Sequence, residues 1–220
     1  MYPDNISPVV VEKWLTGWSM SRGLPLPVRY DTGFSVDVGW PEQQRRYVFP
    51  ALTGDIIRLA DAIHDHWVFL KVCAPPDALK DILPSRWEIQ PQGYMMTMAD
   101  PMPAGAIRLP HGYYIETDMQ QTHNLVKILT GEGNLAASGR IIFVDDLAIY
   151  DRISTEAAHR RKGLGTIVMK TLESVATANG YTKSILVATE EGQMLYTSLG
   201  WKLYSLYTSA VIPGPVTDPQ

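Results

Sequence analysis

The sequence predicts an α/β (α+β) fold, in which a mixed sheet begins as an antiparallel meander and is flanked by helices. Three extended stretches separated by tight turns predict the meander, at 124–129, 138–144 and 147–155. Apolar residues then recur every three or four positions over 164–179, which is the period of one helix face. A short apolar strand at 184–188 follows, of the kind that is covered on both faces.

The N-terminal half contains a similar set of elements. Apolar residues with helical spacing predict a helix over 9–20, which Gly23 and the prolines after it end. The stretches 34–39 and 46–49 predict a hairpin, because a polar turn separates them. The remaining predicted elements of this half are a helix at 56–65 capped by Thr53, an apolar strand at 67–73, a short helix at 77–83, and strands at 87–89 and 94–98.

Composition excludes several classes of protein and site. The chain has 220 residues with a net charge of −4, so no general attraction to nucleic acid or anionic membrane is expected. It has one cysteine, Cys73, which excludes an internal disulfide and a multi-cysteine zinc site, and the apolar residues around it predict a buried thiol. No signal peptide and no membrane-spanning run are visible, so we expect a cytoplasmic protein.

A basic, glycine-containing turn separates the last meander strand from the long helix. Residues 159–166 place three cations directly before two glycines at the start of that helix. The first turn of a helix has unpaired N–H groups, and its dipole attracts negative charge, so this order predicts an anion site. The pattern is not a P-loop, because Lys162 precedes the glycine, and it lacks the third glycine of a dinucleotide site. It does fit R-x-x-G-x-G, with Arg160, Gly163 and Gly165.

With this turn, the sequence resembles the GNAT superfamily of acyl-CoA N-acetyltransferases. A second motif, residues 195–201 (Leu-Tyr-Thr-Ser-Leu-Gly-Trp), is similar to the family's "LY-x-x-LG-[FW]" pattern and lies about thirty residues after the turn. The resemblance covers roughly 111–212. It implies a GNAT-like mixed sheet and acetyl-CoA as cofactor, with the turn holding the pyrophosphate of coenzyme A.

The resemblance also implies which residues contact the cofactor. Backbone N–H groups of the turn would bind pyrophosphate oxygens, and the cations would add charge. The third meander strand would pair with the pantetheine arm, and a backbone N–H near its end would polarise the thioester carbonyl. Thr189 stands where relatives often have an asparagine, and Gly192 where they have a small alanine. The implied contacts are Ile153, Ser154, Thr155, Arg160, Arg161, Lys162, Gly163, Leu164, Gly165, Thr166 and Thr189.

Two residues are candidates for proton transfer. Tyr196, in the second motif, is the expected general acid, since a phenol can protonate the departing sulfur; the alternative is a packing tyrosine. Strict alternation along the third meander strand places Asp151 on one face with Ile153 and Thr155, which makes it a candidate base. A salt-bridged, structural Asp151 is the alternative. Other candidate bases are Glu156, the Glu116 and Asp118 pair, and a water chain.

We therefore expect transfer of an acetyl group from acetyl-CoA to a primary amine of a small molecule or amino acid by direct attack. The acceptor is expected near 94–98 or 113–116. Alternatives are a protein N-acetyltransferase and a non-catalytic acyl-CoA-binding sensor or interaction module. Neither nucleic acid, membrane nor metal is expected as a partner, and a homodimer stays open.

The expected division is an N-terminal α/β half at 1–105, an acetyltransferase domain at 111–212 and a disordered tail at 213–220. Both halves have the order helix, apolar strand, short helix, tryptophan and strand, with Trp87 and Trp201 in corresponding places. We hypothesise that residues 30–100 are a degenerate GNAT-like unit that lost its phosphate turn. Chance recurrence of common α/β elements is the alternative.

Overall fold

The computed structural model describes residues 6–104, 108–120 and 122–215. Its helices are α1 (Pro8–Met20), α2 (Gly54–Ala62), α3 (Pro76–Lys80), α4 (Leu164–Ala178) and α5 (Glu190–Ser198), with a 3₁₀ turn at Ala157–His159. Its strands are β1 (Val28–Tyr30), β2 (Gly33–Trp40), β3 (Gln43–Phe49), β4 (Val68–Val72), β5 (Glu88–Ile89), β6 (Gly93–Met98), β7 (Tyr113–Met119), β8 (Asn124–Thr130), β9 (Leu135–Val144), β10 (Leu147–Thr155), β11 (Lys183–Ala188) and β12 (Lys202–Val211).

The two halves of the chain share one topology. In the C-terminal half, β7 to β10 pair as an antiparallel meander, α4 follows, and β11 returns parallel to β10. In the N-terminal half, β1 to β3 pair as a shorter meander, α2 follows, and β4 returns parallel to β3. This agreement in strand order and helix placement is what the hypothesis of a degenerate second unit required.

The two halves also exchange their last strands. Strand β6 lies between β11 and β12, and it pairs antiparallel with both. Strand β12 pairs in turn with β4 of the N-terminal half. The resulting order is β1-β2-β3-β4-β12-β6-β11-β10-β9-β8-β7, with β5 beside β12. The predicted division at 1–105 and 111–212 stays a prediction. The sheet is shared between the two halves, because each half is completed by a strand of the other.

Helix α1 joins the two halves. Its apolar face, which includes Trp14 and Trp18, packs into one cluster with residues of β2 and β3 and with Ile149 and Ile185 of the C-terminal half. The approach is close at Gly17, where a Cβ atom would lie 2.9 Å from a side-chain atom of Ile149. Helix α1 therefore covers one face of the C-terminal sheet, while α4 covers the other, packing with Val126, Ile141 and their neighbours.

Most predicted elements are confirmed to within a few residues, including α1, the β2–β3 hairpin and α4. Strand β7 was missed as an element, and it forms the outer edge of the meander. Met95 and Met96 of β6 have no exposed surface and belong to the core. Residues 213–215 have no regular structure, and the rest of the predicted tail, like Gly105 of the predicted linker, lies outside the described residues.

Candidate active site

The sheet opens between β10 and β11. These parallel strands are in register only from Leu147 to Ile149, opposite Lys183 to Ile185. Beyond that point β11 remains paired with β6 as far as Ala188, so the second half of β10 has lost its neighbour on that side. Its backbone is available to an extended ligand that adds on as a strand would. In the N-terminal half, β3 and β4 stay in register along all of β4, so the corresponding gap is closed.

A β-bulge lies at the opening. The register between β10 and β9 shifts between Asp151 and Ser154, so Arg152 and Ile153 have no register partner on β9. Arg152 has a φ of 51°, the left-handed region that non-glycine residues rarely adopt. Bulges leave a residue unpaired and re-aim side chains, and they are common beside active sites. Ile153 therefore lies in an irregular part of the strand, and an oxyanion contact by its amide stays a prediction of the resemblance.

The bulge also corrects the predicted side-chain alternation. Asp151 points to the α1 face, where it contacts Arg22, but Ile153 packs with the core cluster under α4. Thr155 also lies on the α4 side, its hydroxyl 3.8 Å from the place of a Cβ at Gly165. The prediction that Asp151 shares a face with Ile153 and Thr155 is wrong, because one inserted residue reverses the faces of all that follow.

The turn before α4 has the geometry of an anion site. Arg161 and Gly163 both have left-handed backbones, with φ of 62° and 74°. Such turns direct successive N–H groups into one concavity. The first hydrogen bond of the helix runs from the amide of Ile167 to the carbonyl oxygen of Gly163. The amides before Ile167 therefore have no partner within the helix, and no side chain caps them. Because the side chain of Leu164 is buried in the core, this residue can offer only its amide.

The corresponding helix start in the N-terminal half differs in the way that the hypothesis of a lost phosphate turn expected. Helix α2 begins after Thr53, and its first turn carries Asp55, which forms an ion pair with Arg58. A carboxylate thus lies at the helix N-terminus where a phosphate would have to bind, and it would repel one.

Two cations of the turn, Arg160 and Lys162, contact polar side chains nearby. Lys162 donates to the hydroxyl of Tyr113 at 2.8 Å, and that hydroxyl is also 2.8 Å from the ring of His159. Arg160 lies 4.0 Å from Glu191, and both side chains are exposed. These contacts hold the cations near the turn without burying them, so they remain available to an anionic ligand.

Tyr196 lies in the core beside the opening. It is 6% exposed and packs near Trp201, with ring centroids 6.2 Å apart. Burial, with the charge of Asp151 adding to it, raises the pKa of Tyr196 to about 12, so the phenol keeps its proton at neutral pH. Gly192 lies against this ring, since a Cβ there would be 3.1 Å from the ring edge. Any larger residue at 192 would push the phenol away.

Asp151 is held by a fork of hydrogen bonds. Both guanidinium Nη atoms of Arg22 donate to its two carboxylate oxygens, and the hydroxyl of Ser21 donates to Oδ2. The side chains of Arg22 and Asp151 are 12% and 13% exposed. This geometry favours the structural alternative, because protonating the carboxylate would deprive a largely buried guanidinium of its partner.

The other candidate residues lie around the opening. Thr189 caps α5 by accepting from the amide of Gly192 at 3.3 Å, which leaves its O–H free to donate. Ser154 has its hydroxyl 3.3 Å from that of Ser138 on the neighbouring strand. Glu116 and Asp118 lie on edge strand β7, opposite Lys127 and Leu125. Glu156 is exposed and donates its amide to Ala136.

Sequence reasoning missed the residues of α1 and β9 that surround Asp151. Ser21 and Arg22 follow α1, and Arg140 of β9 donates to the carbonyl oxygen of Ser21. Burial lowers the pKa of Arg22 and of Arg140, and the charge of Arg152 adds to both effects. No local pattern could have revealed this cluster, since Arg22 and Asp151 are 129 residues apart in the chain.

Comparison with known families identifies the chain. Residues 81–201, more than half of the chain, match the acetyltransferase (GNAT) family. The chain belongs to this family. Membership implies acyl-CoA-dependent acetyltransferase activity with acetyl-CoA as the acyl donor. No curated protein matches the chain.

Solved GNAT structures share the fold across nearly the whole chain. A GCN5-related N-acetyltransferase from Kribbella flavida is 14% identical, with a TM-score of 0.64, and the match covers 96% of this chain and 97% of that one. One from Sphaerobacter thermophilus is 11% identical, with a TM-score of 0.59 and 98% of both chains covered. A tandem GNAT protein from the clavulanic acid biosynthesis pathway is 13% identical, with a TM-score of 0.55, and covers 98% of this chain and 99% of its own.

The residues present fit coenzyme A. The left-handed turn, its uncapped amides and its exposed cations suit a diphosphate. The open edge of β10 suits the amide-bearing pantetheine arm. Within the described ranges, no helix is long and apolar enough to cross a membrane.

Proposed function

We propose that this GNAT protein transfers the acetyl group of acetyl-CoA to a primary amine of a small molecule or amino acid by direct attack. The observation that carries the proposal is the alignment of three features along one opening. The glycine-containing turn follows the unpaired end of β10. A Cβ at Gly192 would lie 3.1 Å from the ring of Tyr196 and 3.5 Å from Ala188, which ends β11, so the buried phenol lies near the end of that strand.

The turn and β10 hold the donor. Amides of Arg161, Gly163, Gly165 and Thr166 donate to the diphosphate, and Arg160 and Lys162 add charge. The backbone of Ile153 and Thr155 pairs with the pantetheine arm, and the bulged amide of Ile153 donates to the thioester oxygen as charge develops there. Acetyl-CoA supplies the acyl group already activated as a thioester. Holding donor and amine together can supply up to about 7–11 kcal/mol of the barrier reduction.

Tyr196 supplies a proton to the leaving sulfur. The attacking nitrogen forms a C–N bond, the C–S bond breaks, and the products are the amide and the free thiol. Since burial raises the pKa of Tyr196 to about 12, the phenol is protonated before the reaction and can donate to the developing thiolate.

The proton of the amine leaves by another route. Asp151 already neutralises Arg22, and a proton on this carboxylate would leave a largely buried guanidinium without its partner. We assign Asp151 the role of fixing the end of α1 against β10, and we assign solvent water the role of taking the proton. Asp151 as the base is the alternative, and the stability and rescue experiment of the Discussion separates the two.

Calorimetry with acetyl-CoA, run beside a thiol-release assay over a panel of primary amines, tests the proposal. We expect binding, and thiol release that depends on the amine. Tyr196→Phe should bind acetyl-CoA normally and lose turnover by about 10²–10⁴-fold. Binding without release on any amine would support a non-catalytic acyl-CoA sensor, and unchanged turnover in Tyr196→Phe would remove the assignment of the acid.

A further inference from the structure

A basic groove lies on the α1 side of the sheet, next to the bulge. It has a volume of about 420 Å³, and its polar lining is formed by Lys127, Ser138, Arg140, Arg152 and Ser154. Two leucines complete the nonpolar part of its wall together with Ile153. Among the described residues, three cations and two hydroxyls but no carboxylate line the groove, in a protein with a net charge of −4.

The groove lies on the opposite side of the sheet from the phosphate turn. Val126, Ala137 and Ile141 point into the core under α4. Because side chains alternate along a strand, their neighbours Lys127, Ser138 and Arg140 must point to the other face. Arg140 confirms this, since it contacts Ser21 at the end of α1. A ligand in the groove would therefore approach β10 from the side away from the diphosphate site.

The positive charge of the groove is not neutralised by its nearest carboxylate. Asp151 lies beside the groove, but its oxygens already accept hydrogen bonds from Arg22 and Ser21. The next carboxylates on this face, Glu116 and Asp118, belong to edge strand β7 and lie opposite Lys127 and Leu125. These carboxylates can offset the charge of Lys127 on β8. Arg140 and Arg152 lie further from the edge of the sheet, on β9 and β10.

Arg152 has a left-handed backbone, with a φ of 51°. Non-glycine residues rarely adopt this conformation, and such residues cluster at functional sites. The Arg152 side chain is exposed and, among the residues described, forms no hydrogen bond or ion pair. The bulge thus keeps the guanidinium of Arg152 at the groove, beside the point where β10 and β11 separate. The guanidinium of Arg140 is close to it, since burial and then the charge of Arg152 lower the pKa of Arg140.

We propose that the acceptor amine carries an anionic oxygen group, a carboxylate or a phosphate, which Arg140 and Arg152 bind in this groove. Planar guanidinium groups match both anions with paired hydrogen bonds. This inference rests on the proposed acetyltransferase function and narrows its acceptor. An amine whose anionic group is bound in the groove lies next to the bulge, and so close to the thioester held along β10.

Matched pairs of amines test the inference by thiol release. One pair is an amino acid and its carboxamide, and the other is phosphoethanolamine and ethanolamine. We expect kcat/KM to favour the anionic member of at least one pair by about tenfold or more, because hydrogen bonds between charged groups are the strong ones. The pair with the larger preference distinguishes carboxylate from phosphate. Equal rates within both pairs, or faster neutral amines, would overturn the inference.

Variants locate the preference in the groove. Arg152→Gln should reduce the ratio of anionic to neutral kcat/KM to about one, and Arg152→Lys should leave it intermediate, because lysine keeps the charge and loses the fork. Arg58→Gln, which removes an exposed cation of α2, is the matched control and should leave the ratio unchanged. The Kd for acetyl-CoA should stay unchanged in Arg152→Gln; if it rises, the groove belongs to the donor and the inference is wrong.

A separate binding experiment distinguishes failure of this inference from failure of the proposed function. If acetyl-CoA binds but no amine is acetylated, the catalytic proposal fails. Calorimetry on the protein saturated with coenzyme A then compares N-acetylglycine with N-acetylglycinamide, and N-acetylated phosphoethanolamine with N-acetylethanolamine. If an anionic compound binds and Arg152→Gln abolishes that binding, the groove is still an anion site. If neither anionic compound binds, the inference that the groove binds an anionic group is wrong.

Discussion

Replacing Asp151 by asparagine removes the charge that neutralises Arg22 while preserving the shape of the side chain. The two side chains are 13% and 12% exposed, so the pair is nearly buried, and two arginines besides Arg22 lie close by. Breaking one partner of a buried pair costs about 3–5 kcal/mol. Since asparagine can still accept one hydrogen bond from Ser21, we expect about 3 kcal/mol. For a chain of this size that lowers Tm by roughly 6–12 °C.

Thermal and urea unfolding of wild type and Asp151→Asn measure the loss. Asp37→Asn is the matched control, because Asp37 pairs with Arg45 at the surface, where the side chains are 67% and 47% exposed. An exposed pair contributes about 0–1 kcal/mol. If Asp151→Asn costs no more than Asp37→Asn, the reasoning from burial is refuted.

The double variant Arg22→Met/Asp151→Asn then separates stability from chemistry. Methionine can keep the contact with the Trp18 ring, over which the Arg22 guanidinium lies at 4.4 Å, and it removes the charge that Asp151→Asn would leave unpaired at position 22. We expect the double variant to recover most of the stability and to recover thiol release with it. A double variant that is as stable as wild type and still inactive would instead identify Asp151 as the general base.

Three further predictions follow from the same geometry. In Gly163→Ala the added methyl has open space around it, but the backbone φ is 74°, so we expect the free energy of unfolding to fall by about 1–2 kcal/mol and calorimetry to show weaker acetyl-CoA binding. Gly163→Asn should lose less stability and less affinity, because asparagine tolerates this backbone. Because the pKa of Tyr196 is raised to about 12, the phenol stays protonated well above neutrality, and kcat should show no alkaline decline below about pH 10; a decline near pH 8 would assign the acid elsewhere. Burial raises the pKa of the Cys73 thiol to about 12, so Ellman's reagent should label it only in denaturant, and labelling of the folded protein at the rate of a free thiol would contradict the structure.

Local patterns were sufficient for most of the helices and strands. The spacing of apolar residues predicted α4, and the turn residues between extended stretches predicted the meander. The order of cations and glycines predicted an anion site, and the structure has a left-handed backbone at Gly163 in that turn. These features depend on residues within one turn or one strand of each other. A sequence pattern contains that information directly.

The faces of β10 could not be obtained in this way. Alternation is a sound rule for an unbroken strand, and it placed Asp151 beside Ile153. The bulge at Arg152 breaks this alternation, and no glycine or proline near it in the sequence indicates a bulge. Gly139 on the neighbouring strand lets α4 pack closely beside the bulge, because a Cβ at this position would lie 2.6 Å from Val168 and 3.2 Å from Ile153.

The sequence by itself thus indicated the family, most of the helices and strands, and a candidate site for the donor's phosphates, because each of these depends on neighbours along the chain. Only the tertiary structure decided that the halves exchange β6 and β12, that α1 completes the C-terminal half, and that Arg22, Arg140 and Arg152 converge beside Asp151. Those contacts join residues far apart in the chain, such as Arg22 and Asp151 at 129 positions and Phe69 and Val211 at 142. Their formation depends on which buried faces fit together, a property of the packed molecule rather than of any one segment.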